Sequence, residues 1–78
     1  MKRNELRKGM RVKCFNPNDS EGVFYGTVAE DNHDNKAVVR VKVDSLVWGI
    51  SIAYIKEAYV NKSWRKIEWE YPPIGADL

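Results

Sequence analysis

Few side chains in this sequence could make or break a covalent bond. The single histidine, His33, stands between Asp31 and Asp34 in the polar run of residues 30–36. Imidazole and carboxylate suit a divalent cation, but this composition also makes an ordinary polar turn. The run Asp31-Asn32-His33-Asp34-Asn35 lacks the spacing of a calcium loop and its distant closing glutamate. Cys14 falls on the apolar phase of a strand pattern, where a thiol behaves as a small hydrophobe and not as a nucleophile. No serine lies in a nucleophile motif, and Gly9, Gly22, Gly26, Gly49 and Gly75 are too scattered to cradle a phosphate. Asn61-Lys62-Ser63 fits a glycosylation acceptor, which matters only in an exported chain. A non-enzymatic protein with no metal and no cofactor is expected.

Binding chemistry has more material. Nine aromatic residues (three Trp, four Tyr, two Phe) are present. Phe15 and Tyr25 fall on the same outward phase as Arg11, Lys13, Arg40 and Lys42. Rings beside cations stack bases and hold phosphates. The same pair could line a protein-binding groove or part of an aromatic cage for an ammonium group, or could simply cover the ends of the fold. A cage needs three or four converging rings, and the sequence places two. A second aromatic run, Trp64-Arg65-Lys66-Ile67-Glu68-Trp69-Glu70-Tyr71, alternates with Ile67, Trp69 and Tyr71 on one side. Pro72-Pro73 ends it, because neither residue can donate to a ladder. This strand has two fates: it lies back across the sheet, or it pairs with a partner or second copy by strand addition. In the second case Trp64, Ile67, Trp69 and Tyr71 supply the contacts.

The elements that position these groups are short strands. Seventy-eight residues make one small domain with a thin core, and one cysteine leaves no internal disulfide to support it. Residues 10–15 alternate, with Met10, Val12 and Cys14 inward. Residues 23–28 follow, with Phe24, Gly26 and Val28 on one face. Residues 37–43 give the clearest strand, with Val39, Val41 and Val43 inward. Residues 46–52 form a fourth, with Leu46, Trp48, Ile50 and Ile52 together, so that Phe24 and Trp48 are expected in the core. Residues 53–56 read as one tight helical turn before an extended segment at residues 57–60. Adjacent short strands joined by polar turns pair antiparallel, and four or five bury a common face by curling into a small barrel, with Gly26 allowing the bend.

Gly9-Met10-Arg11-Val12-Lys13-Cys14 resembles the opening strand of Tudor, Agenet and KOW-type Src-homology-3-like barrels, and Phe24-Tyr25-Gly26-Thr27-Val28 resembles their second strand. Ile52-Ala53-Tyr54-Ile55-Lys56-Glu57 is similar to their last helical turn and strand. The resemblance covers about residues 8–60 and implies a binding module. Tudor-like members hold methylated side chains, and KOW-like ones contact nucleic acid or the transcription and translation machinery. A plasmid-borne dihydrofolate reductase is the enzymatic exception and uses a Val-Gln-Ile-Tyr run in its fourth strand. Here Trp48-Gly49-Ile50-Ser51-Ile52 occupies that place without the Gln or Tyr.

Charge divides the chain. Residues 1–13 carry +5 and residues 14–45 carry −3, within a net charge of +2. The basic start reads as a solvated arm or as a contact for phosphate or an acidic protein face, while the small net charge is low for a dedicated nucleic-acid binder. The uncharged stretch of residues 45–55 is too short to span a bilayer, and the first residues lack the apolar core of an export signal. The expectation is a soluble, cytoplasmic, all-β protein. It comprises a basic N-terminal arm (1–8), an antiparallel Src-homology-3-like β-barrel of about five strands (9–60), and a C-terminal aromatic strand or tail (61–78). The expected function is that of a small adaptor, regulator or inhibitor acting on a protein partner, as a monomer or homodimer, with no membrane contact. The alternative is RNA or DNA binding through Arg11, Lys13, Phe15, Tyr25, Arg40 and Lys42.

Overall fold

In the computed structural model, which describes residues 1–16 and 22–68, alternating segments become strands and polar runs become turns. The strands are β1 (Arg11–Phe15), β2 (Val23–Val28), β3 (Val38–Val43), β4 (Leu46–Ser51), β5 (Ile55–Val60) and β6 (Ser63–Lys66). One-turn 3₁₀ helices occupy Arg3–Glu5 and Ile52–Tyr54. All strands pair antiparallel in one sheet of order β4-β3-β2-β1-β5-β6. The protein is therefore all-β, a four-strand meander whose fifth strand returns beside the first. The expected helical turn precedes β5, starting one residue earlier than the alternation suggests.

The sheet is not closed by hydrogen bonds: β4 and β6 remain its two edges. The β2–β3 ladder holds only Thr27↔Lys42 and Val28↔Val41 and stops before Gly26. There Val41 and Val43 fold over the place a Gly26 side chain would fill, and an added Cβ would also lie 2.9 Å from the Lys42 carbonyl oxygen. Gly26 thus serves a close approach of two strands.

The core contains Val12, Cys14, Val28, Val39, Val41, Ile52, Ile55 and Ala58 from the strands and the second helical turn. Phe24, Met10, Val43 and Ile50 pack against it half-buried. Two members come from outside residues 9–60. Leu6 is wholly buried and Ile67 is 5% exposed. The N-terminal segment is accordingly part of the fold and not a solvated arm. Its clasp is Asn32, a buried polar residue. The Asn32 amide N–H donates to the Leu6 carbonyl (2.9 Å), and its side chain donates to the carbonyls of Arg3 (3.0 Å) and Lys36 (3.3 Å). The Asn32 Oδ1 accepts from the Lys36 N–H at 3.0 Å. Nearby, the Asp31 carboxylate accepts from the Lys8 N–H at 2.8 Å. The polar loop therefore spends these groups on satisfying backbone, while His33 and Asp34 stay exposed.

Trp48 corrects the expected core. It shares the inward phase of Ile50 but is 53% exposed, and Leu46 is 59% exposed. Burial of an inward row requires neighbours on both sides. β4 is the last strand, so Trp48, opposite Val41, has no strand on its outer side among the described residues, and Leu46, opposite Val43, also lies beyond the point where β2 leaves β3. Among the described residues no helix is long and apolar enough to cross a membrane.

Candidate functional site

Residues directly opposed in an antiparallel pair lie on the same face, so the ladders define the outward surface. One row runs Val47, Lys42, Thr27, Arg11, Tyr59, Trp64 across all six strands. A second runs Tyr25, Lys13, Glu57, Lys66 across β2, β1, β5 and β6. Five of the six nucleic-acid candidates thus gather on adjacent parts of this face: Arg11, Lys13, Tyr25 and Lys42 in these rows, with Phe15 beyond at the end of β1. Arg40 lies on the outward phase of β3, where its guanidinium pairs with Glu30 at 3.3 Å. Arg11 donates to the Thr27 hydroxyl at 3.2 Å, and Lys13 pairs with Glu57 at 3.8 Å.

Three rings converge above these rows. The Trp64 ring lies 5.2 Å from that of Tyr59, its cross-strand neighbour, and 5.8 Å from that of Tyr25. Tyr25 and Trp64 therefore meet over the two intervening strands, β1 and β5. The planes are tilted by 54° and 58°, arrangements that aromatic rings favour over face-to-face stacking. Each residue remains 41–46% exposed. Tyr59 was not legible as a site residue from composition, although a signal existed. Asn61-Lys62 is a two-residue hairpin loop with positive φ at both positions (50° and 66°), and such a loop sets Tyr59 opposite Trp64.

A second aromatic pair marks the far end of the face. Phe15 and Tyr54 meet edge to face at 5.6 Å, and the Lys56 ammonium lies 4.7 Å from the Phe15 centroid. A bulge explains how Lys56 reaches it. Lys13 opposes Glu57 but Cys14 opposes Ile55, leaving Lys56 as the extra residue of β5 and swinging Ile55 into the core. Phe15, Ala53, Ile55, Lys56, Lys66 and Ile67 line an adjoining open depression of about 360 Å³.

Of the residues expected to contact a protein partner, Trp64 is exposed and central to the cluster. Ile67 is not available. It packs into the core, held where its N–H donates to the Lys56 carbonyl at 3.0 Å, and this part of the tail lies back on the sheet. Trp69 and Tyr71 lie outside the described residues. Burial pushes the Cys14 thiol up to about 11, so its thiolate is scarce at neutral pH. Among the described residues no group of three or more His, Cys, Asp or Glu side chains is placed to hold a metal ion. No protein-family model, curated protein sequence or solved structure matches the chain.

Proposed function

We propose that this protein is a non-catalytic binding module, a small adaptor, regulator or inhibitor that engages another protein through the outward face of its sheet. The observation that carries the reading is the convergence of Tyr25, Tyr59 and Trp64, three large rings from three strands that stay more than 40% exposed. A small core gains stability by burying such rings, so leaving them in water favours a contact surface. Trp and Tyr also dominate the energetic centres of protein interfaces. Arg11 and Lys13 beneath the rings make the face basic, which suits a partner with an acidic or mixed surface.

The test uses a photo-crosslinking residue at Thr27, within the face, and another at Asn4, away from it. The expected result is a discrete protein adduct from Thr27 alone, resistant to nuclease, and lost in a folded Trp64→Ala, Tyr25→Ala double variant. An adduct that survives in the folded double variant overturns the reading.

A second reading rests on the gathering of Arg11, Lys13 and Lys42 around Tyr25, a composition suited to single-stranded nucleic acid. Labelled RNA and DNA oligonucleotides at low salt separate the two. A nucleic-acid binder loses affinity steeply as salt displaces the released counterions, whereas no shift at low salt removes this alternative.

A further inference from the structure

The two edges of the sheet are treated differently. The β6 edge carries Arg65 and Lys66, with Lys62 in the preceding turn, and the start of the chain lies alongside its end. Lys2 bridges Glu68 in parallel, the Met1 amino group donates to the Lys66 carbonyl at 2.7 Å, and the Glu68 N–H donates to the Met1 carbonyl at 2.8 Å. Charge and coverage are the usual protections of an edge. β4 has neither. Leu46-Val47-Trp48-Gly49-Ile50-Ser51 contains no charge, proline or bulge, and nothing among the described residues pairs with its outer side. It carries apolar side chains on both faces: Leu46 and Trp48 are 59% and 53% exposed on one, and Val47 is 48% exposed on the other, the face on which Val38 of β3 is 54% exposed opposite Ser51.

We infer that β4 pairs with β4 of a second copy, forming a two-fold symmetric dimer whose sheets join edge to edge. Antiparallel self-pairing suits an isologous contact because each copy contributes the same strand. A two-fold axis near Trp48 keeps inward residues opposite inward residues and sets Leu46 of one copy across from Ile50 of the other. The strand itself introduces no like charges. The same geometry carries Asp44, at the tip of one hairpin, to the end where the other copy has Lys36, and it does so twice. Each end of the seam therefore carries charges of opposite sign, Asp44 opposite Ile52 of the other copy and Lys36 one strand further in, beside Ala37, whose carbonyl accepts from the Ile52 N–H. The contact pairs backbone groups of β4 and covers apolar side chains on both faces. One strand edge is smaller than a standard interface of roughly 800 Å² per partner, so a micromolar dimer is expected.

Sedimentation velocity from about 1 μM to about 500 μM is the first readout, a range that brackets a dissociation constant in the micromolar region. The expected result is a shift from the 9.0 kDa monomer to twice that mass. Val47→Glu is the decisive variant. Its carboxylate sits opposite Lys42 within the same chain, which favours the hairpin, yet places like charges along the two-copy seam. Dimer affinity is expected to fall at least about tenfold. Trp64→Ala, on the far side of the sheet, should leave it unchanged. Hydrogen exchange on the unaltered chain gives an independent readout. Amides of residues 46–51 should gain protection with concentration, and those of residues 63–66 should not. A monomer at the highest concentration, higher-order aggregation, or a dimer that a folded Val47→Glu variant retains each overturns the inference. Protection that rises elsewhere than in β4 overturns it as well.

Discussion

Leu6 offers a direct measure of how far the start of the chain belongs to the fold. Its side chain is completely buried, in a cluster that includes Ile67 and the inward row of the strands. Truncating such a leucine to alanine removes its transfer free energy and leaves a cavity, at a cost of about 2–5 kcal/mol. A chain of this length has a total stability of roughly 4–12 kcal/mol, so Leu6→Ala should remove a large fraction of it. The melting temperature should fall by roughly 10–40 °C, at about 4–8 °C per kcal/mol for a domain of this size. Leu46 is the internal control, being the same residue type at 59% exposure. Leu46→Ala should cost less than about 0.5 kcal/mol when measured at low micromolar concentration, as exposed positions do. Urea unfolding followed by circular dichroism, with equal slopes for both variants, reads the difference. If the two alanine variants lose similar amounts, or Leu6→Ala costs under about 1 kcal/mol, Leu6 does not occupy the core and the clasp at Asn32 has nothing to hold.

Two further changes probe the backbone and the buried thiol. Lys62 holds φ of 66° in the β5–β6 loop, a conformation that costs a side-chain-bearing residue about 1 kcal/mol, and Asn-Gly is the favoured pair for such a loop. Lys62→Gly should therefore raise stability by roughly 0.5–1 kcal/mol despite glycine's larger unfolded entropy, and a neutral or lower urea midpoint would contradict the strain. Burial raises the Cys14 thiol from 9.0 to about 11, so between those pH values the folded chain retains a proton that the unfolded chain has lost. Stability from this group is complete below pH 9 and declines as pH rises toward 11, by an amount of the order of 2 kcal/mol. Unfolding midpoints of the unaltered chain and Cys14→Ala should converge over that window; a constant gap would show that the thiol does not titrate there.

What the sequence discloses here follows from the range of each physical signal. Period-two alternation is local, so the strands and the inward set Val12, Cys14, Val28, Val39 and Val41 were readable from it. The barrel closure inferred from the same pattern is not local, and with β4 and β6 not paired to each other the sheet stays open. Trp48 illustrates the difference, because phase assigns it a face but cannot say whether anything covers that face. Leu6 was hidden for another reason. A single leucine in a charged run has no periodicity, and its burial depends on Asn32, 26 positions away. The aromatic cluster was half legible. Tyr25 and Trp64 were each visible, but their meeting required both the β1–β5 return and the hairpin that adds Tyr59. The bulge at Lys56 left no sequence signature, although it decides which of Ile55 and Lys56 enters the core.

The positions of the two exposed apolar regions constrain how they could act together. The aromatic cluster lies over β2, β1, β5 and β6, whereas the edge left unpaired among the described residues is β4, with β3 between them carrying Arg40 and Lys42 on the outward side. An extended sheet joined at β4 would keep both outward faces on the same side, because equivalent residues of the two copies retain their phase across the seam. The two clusters would then be presented in parallel at opposite ends of one continuous sheet, separated by four basic side chains from the two β3 strands. Two weak contacts held this way act as one strong contact on a target that repeats its epitope. For a domain whose core is too small to support a broad interface alone, pairing is therefore a physically economical route to tight binding. It requires only that the uncharged edge and the ring-bearing face remain separate, and their strand assignments keep them so.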